Sequence, residues 1–93
     1  MNRLVLSAQL VQRSALRYTP AGLPACDLEL RHEGEATEAG LPRKVSLDIR
    51  AVALGEVAQR VAALALGSPG VYAGFLASGR NGRGIVFHVT AIE

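Results

Sequence analysis

Residues 70–93, GVYAGFLASGRNGRGIVFHVTAIE, decide how the rest of the chain is read. Val71, Ala73, Phe75 and Ala77 alternate with Tyr72, Gly74, Leu76 and Ser78. After a glycine-rich break, Ile85, Phe87, Val89 and Ala91 alternate with Val86, His88, Thr90 and Ile92. Period-two runs rich in Val, Ile and aromatic residues predict two strands. Asn81-Gly82 has the residues that tight hairpins favour where φ must be positive. The alternation predicts Phe75 and Phe87 inward, Tyr72 and His88 outward. The turn, Gly79 to Gly84, carries Arg80 and Arg83 and no acid. A basic finger therefore projects from two apolar strands.

Upstream the period changes. Leu54, Val57, Val61 and Leu64 recur at steps of three and four, with alanines between. This predicts a helix over 54–66, of about three turns, with one apolar stripe. Gly67 is placed to end it and Pro69 to prevent its continuation. Further back, residues 43–52 alternate Val45, Leu47, Ile49 and Ala51 against Lys44, Ser46, Asp48 and Arg50. Residues 25–33 alternate Cys26, Leu28, Leu30 and His32 against Asp27, Glu29, Arg31 and Glu33. The acidic, glycine-containing stretch 34–42 between them is expected to be an exposed mobile loop. Residues 13–24 carry Pro20, Gly22 and Pro24 and read as a turn region. Residues 1–12 form the first strand, with Leu4, Leu6, Ala8 and Leu10 on one face.

Three strands, a helix and two more strands is the order of a five-stranded OB-fold, a Greek-key barrel that is all-β apart from one short helix. Five-stranded SH3-like barrels lack a helix of this length at this place. The chain has 93 residues, so 1–93 is read as one domain. At 49% hydrophobic it can bury a modest core. No apolar run of about 18 residues exists to span a membrane, and the N-terminus has no secretory pattern. A lone Cys26 cannot form an internal disulfide, which points to a reduced, cytoplasmic protein. The net charge is +2, but its distribution is uneven. The first 24 residues carry Arg3, Arg13 and Arg17 with no acid; residues 26–40 carry five carboxylates against Arg31. A basic face and a separate acidic rim are expected, against the alternative of charges scattered on a solvated surface.

No constellation supports catalysis. His32 and His88 lie on different strands, and no HxxxH, CxxC or DxD spacing is present, so neither a metal nor another cofactor is expected. Cys26 reads as a buried thiol. Gly79–Gly84 lacks the Gly-Lys-Ser/Thr ending of a phosphate loop and joins two strands. What remains is electrostatic: Arg80 and Arg83 as a finger along a phosphate backbone, or simply as residues that keep a hairpin tip soluble. Arg13, Arg43, Lys44 and Arg50 extend the basic track if their strand faces line a groove. Tyr18, beside Arg17 in the first loop, and Tyr72 are the candidate stacking rings. With so few aromatics, charge is expected to outweigh stacking.

The ordered set Asn2-Arg3-Leu4-Val5-Leu6-Ser7, Pro20-x-Gly22-Leu23-Pro24-x-Cys26-x-Leu28-x-Leu30-x-His32, Glu38-Ala39-Gly40-x-x-Arg43, Gly67-Ser68, Gly74-Phe75-Leu76, Asn81-Gly82, His88 and Ile92-Glu93 resembles the bacterial primosomal replication protein N (PriB) family along essentially the whole chain. The resemblance implies an OB-fold homodimer that binds single-stranded DNA in the cytoplasm. It implies as partners the primosomal helicase PriA and other primosome proteins, and a role in replication restart. It places strand contacts on Arg80 and Arg83, on Arg13, and on Arg43 and Lys44; Arg17 and Tyr18, in the first loop, are added to them from their residue types alone. The first strand, with Leu4, Val5 and Val11, is the expected subunit contact. No small-molecule substrate is implied. Two departures stand out. Enterobacterial members have a stacking tryptophan where this chain reads Lys44-Val45-Ser46-Leu47, and their finger is longer and richer in lysine. The alternative reading is therefore a protein-interaction adaptor whose DNA affinity is incidental.

Overall fold

A computed structural model describes residues 1–79 and 81–93. Five long strands close on themselves: β1 (Leu4–Arg13), β3 (Pro24–Glu38), β4 (Leu41–Leu54), β5 (Pro69–Ser78) and β6 (Ile85–Ile92). A two-residue strand, β2 (Arg17–Tyr18), lies in the first loop against Ala25 and Pro24 of β3. The helix α1 (Glu56–Ala62) joins β4 to β5. β1 pairs with β5 through Leu4–Gln9 and with β3 through Gln9–Arg13, so one bent strand serves both walls. β6 closes the ring by a short parallel pairing of Phe87–Val89 with Ala51–Ala53 of β4. This is the OB-fold barrel, with β2 as an addition.

Leu10, Cys26, Leu30, Val61, Tyr72 and Phe87 are fully buried inside it. The inward sets of β1 and β3 are the ones the alternation marks. Ala8 and Leu10 are buried, Leu4 and Leu6 pack on the core, and Val5, Ser7 and Gln9 are exposed. In β5 the phase is the reverse of the expectation. Tyr72 is inward and buried, while Phe75 is 40% exposed and stacks on His88 outside the barrel. Their rings lie 4.9 Å apart at an interplanar angle of 7°. Both phases of β5 are apolar, so alternation alone could not choose. Gly74 lets the β6 backbone approach closely: a Cβ there would sit 1.8 Å from the His88 carbonyl oxygen. A register shift between Ala73 and Gly74 adapts the strand to that contact.

The helix is shorter than expected. Leu54 ends β4 and is exposed, and Glu56–Ala62 buries Ala58 and Val61. Beyond Ala63 the backbone leaves the helix to bond β1. Gly67 N–H donates to Leu10 C=O at 2.7 Å, and Leu10 N–H donates to Ser68 C=O at 3.0 Å. These tertiary bonds replace the last helical turns that the apolar period predicted.

The stretch 34–42 is not a loop. β3 and β4 stay paired from Ala25↔Leu54 to Glu38↔Leu41, and only Ala39 and Gly40 turn, at φ 53° and 77°. Two positive φ values are the mark of a tight type I′ hairpin. At roughly 3.3 Å per residue, fifteen-residue β3 runs almost the full 48 Å of the molecule's longest dimension. Beyond Arg31 its one strand partner among the described residues is β4, so residues 32–47 form a two-stranded arm projecting from the barrel.

Candidate nucleic-acid interface

Three separate segments surround a groove of about 560 Å³ on the barrel flank. The end of β1 contributes Gln12, Arg13 and Ser14; β3 and β4 contribute Asp27, Glu29 and Arg50; the β5–β6 hairpin contributes Gly79, Asn81, Arg83 and Val86. The first loop, the outer face of the second and third barrel strands, and the last hairpin are where OB-folds hold oligomeric ligands. The hairpin is shaped by glycine. Gly79 N–H donates to Gly84 C=O at 3.2 Å, and Gly82 N–H donates to Gly79 C=O at 2.9 Å. Gly82 and Gly84 lie at φ 70° and 67°. A Cβ on Gly79 would meet the Arg83 carbonyl oxygen at 2.4 Å, so this neck admits no side chain. A Cβ on Gly84 would sit 3.7 Å from Arg50 Nη2, which puts that guanidinium against the base of the finger.

Arg13, Arg50 and Arg83 come together in the groove, and among the described residues none of them forms an ion pair. Arg13 is half-buried and its Nε donates to Leu64 C=O at 3.0 Å. The expected contact Arg80 lies outside the described residues. The other expected cations are placed differently. Arg17 grips Asp27 with two hydrogen bonds of 3.0 and 3.1 Å. That hydrogen bonding, and then the carboxylate's charge, raise the Arg17 pKa above its ordinary value. Arg43 pairs with Glu38 near the tip of the arm, and Lys44 stands opposite Glu35 in the ladder. Arg43 and Lys44 do not line the groove. Tyr18 is 67% exposed on β2, also outside it. Among the described residues no aromatic side chain lines the groove. Leu47 is exposed on the arm and offers apolar surface without a ring.

Arg50 is the residue to add. Alternation on its strand already marks it as outward; what the sequence does not reveal is that the finger folds against it. Two carboxylates that alternation also turns outward, Asp27 and Glu29, share the same floor. Of the expected subunit-contact residues, Val5 is 53% exposed, Val11 is half-buried at a register shift in β1, and Leu4 packs on the chain's own core. Cys26 is buried, and its thiol donates to Ser14 C=O at 3.3 Å. Among the described residues no group of three or more His, Cys, Asp or Glu is placed to hold a metal ion. No helix of the described residues is long and apolar enough to cross a membrane.

Barrel, helix position and groove define the class: an OB-fold of the single-strand-binding type. A family profile described as another single-strand binding protein family matches residues 2–91. Replication restart protein PriB of Bordetella pertussis is 52% identical over 81 residues, covering 87% of this chain and 76% of that protein. PriB of Nitrosomonas europaea is 32% identical over 89 residues, covering 95% and 82%. The solved structure of PriB from Ralstonia solanacearum superposes with a TM-score of 0.92 at 39% identity, over 100% of this chain and 96% of that one. The single-stranded DNA binding protein of Thermus aquaticus follows with a TM-score of 0.76 at 27% identity, over 100% of this chain and 49% of the other. The chain belongs to the PriB family.

Proposed function

We propose that this protein acts in bacterial replication restart by holding single-stranded DNA in the groove, without making or breaking a bond. The observation that carries the reading is the convergence of Arg13, Arg50 and Arg83, from three segments, with no ion pair among the described residues. Guanidiniums not already committed to carboxylates are available to phosphates. Each neutralised phosphate on a single strand contributes a slope of roughly −0.7 in log K against log salt. Three contacts predict a slope of about −2. Arg50→Ala with Arg83→Ala is expected to weaken binding of a labelled oligonucleotide at low salt and to bring the slope to about −0.7. A double variant with the parent's affinity and slope would remove the groove as the site. Arg17 and Arg43 are expected to matter less, because a phosphate must compete with Asp27 and Glu38 for them.

The family resemblance extends the proposal to a homodimer that meets across β1 and assists the primosomal helicase PriA. β1 supports this physically. From Leu4 to Ala8 its edge away from β5 has no strand partner among the described residues, the Ser7 carbonyl alone being met by the His32 ring, and Val5 is exposed beside it. One observation favours the rival reading, an adaptor with incidental DNA affinity: among the described residues the groove has no aromatic ring, and it carries two carboxylates. Titrating the oligonucleotide with and without the helicase separates the two readings. Binding that requires the helicase favours the adaptor.

A further inference from the structure

The groove floor contains a carboxylate that phosphate holding does not use. Glu29 is half-buried and stands opposite Arg50 in the β3–β4 ladder, yet the two form no ion pair. Its neighbour Asp27 is different, because Arg17 binds it with two hydrogen bonds and offsets its charge. Among the groove carboxylates, only Asp27 is held by an arginine among the described residues. The charge of Arg31 reaches Glu29, but among the described residues no arginine forms an ion pair with it; such a carboxylate repels phosphate, so a bound strand must keep its backbone on the arginines and turn something else toward Glu29. Deoxyribose within a strand has no free hydroxyl to donate, so the part of a nucleotide that can offer a carboxylate a hydrogen bond is its base.

We infer that Glu29 is a base-selecting residue, one that favours bases carrying an exocyclic amine. An ionised carboxylate only accepts hydrogen bonds. Cytosine presents an N4 amino group, the donor that Glu and Asp side chains accept from. Thymine presents a carbonyl, O4, at the same place. A carboxylate facing that oxygen is repelled and left partly desolvated without a partner, and a buried group without its hydrogen bond is the stronger source of discrimination. Among the described residues no aromatic ring lines the groove to supply sequence-tolerant stacking, which raises the weight of this one contact. The inference rests on the groove being the site of single-strand binding.

The test compares dC12 and dT12, at pH 8 and low salt, on the parent and on Glu29→Gln. Charge removal alone would tighten both oligonucleotides by the same factor. Base selection predicts that Glu29→Gln tightens dT12 several-fold and leaves dC12 unchanged or weaker. Each oligonucleotide is compared only with itself, so their different intrinsic stacking cancels. Equal tightening of both, or no change in either, overturns the inference while leaving the groove intact. A parent that binds neither oligonucleotide overturns the groove reading as well, and Arg50→Ala with Arg83→Ala reports on that separately. Circular dichroism of Glu29→Gln establishes that the barrel is retained.

Discussion

Tyr72 brings a polar atom into the core without a use for it there. Its ring is fully buried, and its hydroxyl finds no hydrogen-bond partner among the described residues. An orphaned buried hydroxyl costs about 1–3 kcal/mol relative to a paired one. Phe keeps the ring and removes the hydroxyl. Tyr72→Phe is therefore expected to raise stability by about 1 kcal/mol, or roughly 4–8 °C in melting temperature for a domain of this size. Burial also raises the Tyr72 pKa, because the phenolate is poorly solvated inside. The sign follows from which state holds the proton more tightly. The folded state does, so this contribution is complete below the unfolded value of about 10. It is lost as pH rises through the raised folded value. Melts of parent and Tyr72→Phe above pH 10 should diverge further, with the parent falling faster. Equal stability at pH 7 together with parallel alkaline curves would show the hydroxyl to be satisfied. Sequence could not expose this residue, since Tyr72 and Phe75 occupy opposite phases of a strand that is apolar on both.

At the scale of elements, β5 and the β3–β4 arm show what alternation can and cannot read. Alternation finds a strand and its length; choosing the buried face needs a polar phase on the other side. β3 has one, with Asp27, Glu29, Arg31 and Glu33 alternating against Cys26, Leu28, Leu30 and His32, and its inward face was legible. β5 has none, so its two phases read alike, and alternation does not report the close approach of Gly74 to the His88 backbone. Gly74→Ala drives a Cβ into that carbonyl at 1.8 Å, and the obstacle is main chain that cannot rotate away. We expect a loss of roughly 3 kcal/mol or more, read as a lower urea midpoint with retained β-sheet signal. A midpoint equal to the parent's would mean that the β5–β6 ladder separates at little cost. The arm was missed for the opposite reason. Glu33, Glu35 and Glu38 are poor strand formers by composition, yet ladder partners such as Lys44 opposite Glu35 and the Arg43–Glu38 ion pair stand across from them. Compositional reading sees the acids and not the partners a register supplies. The groove was half legible by the same logic. Arg83 and Arg13 stand out as cations in turns, whereas Arg50 becomes part of the site only once the finger lies over it.

For the whole molecule, the unbalanced feature is the outer face around β1. Val5 and Phe75 are both substantially exposed there, and from Leu4 to Ala8 one edge of β1 has no ladder partner among the described residues, although the Ser7 carbonyl meets His32 Nδ1 at 2.6 Å. An exposed strand edge next to exposed apolar side chains is a template for another chain. Two copies related by a two-fold axis would bring the same edge to itself, which closes the contact and prevents further growth. The proposed dimer has a consequence separate from its size. If folding and association are linked, melting temperature must rise with protein concentration, whereas a monomer's does not. Sedimentation of the parent at micromolar concentration is expected to give a dimer, with a melting temperature that falls over a hundredfold dilution series. Val5→Glu places a charge on the contact from an already exposed position, so the barrel itself should tolerate it. That variant is expected to sediment as a folded monomer with a concentration-independent melting temperature. Each monomer keeps its whole groove, since Arg13, Arg50 and Arg83 all belong to one chain, so short oligonucleotides should bind it as they bind the parent. Longer oligonucleotides, able to reach two grooves in the dimer, should lose the gain that linkage of two sites provides. A parent that sediments as a monomer at these concentrations would leave the β1 edge without this partner.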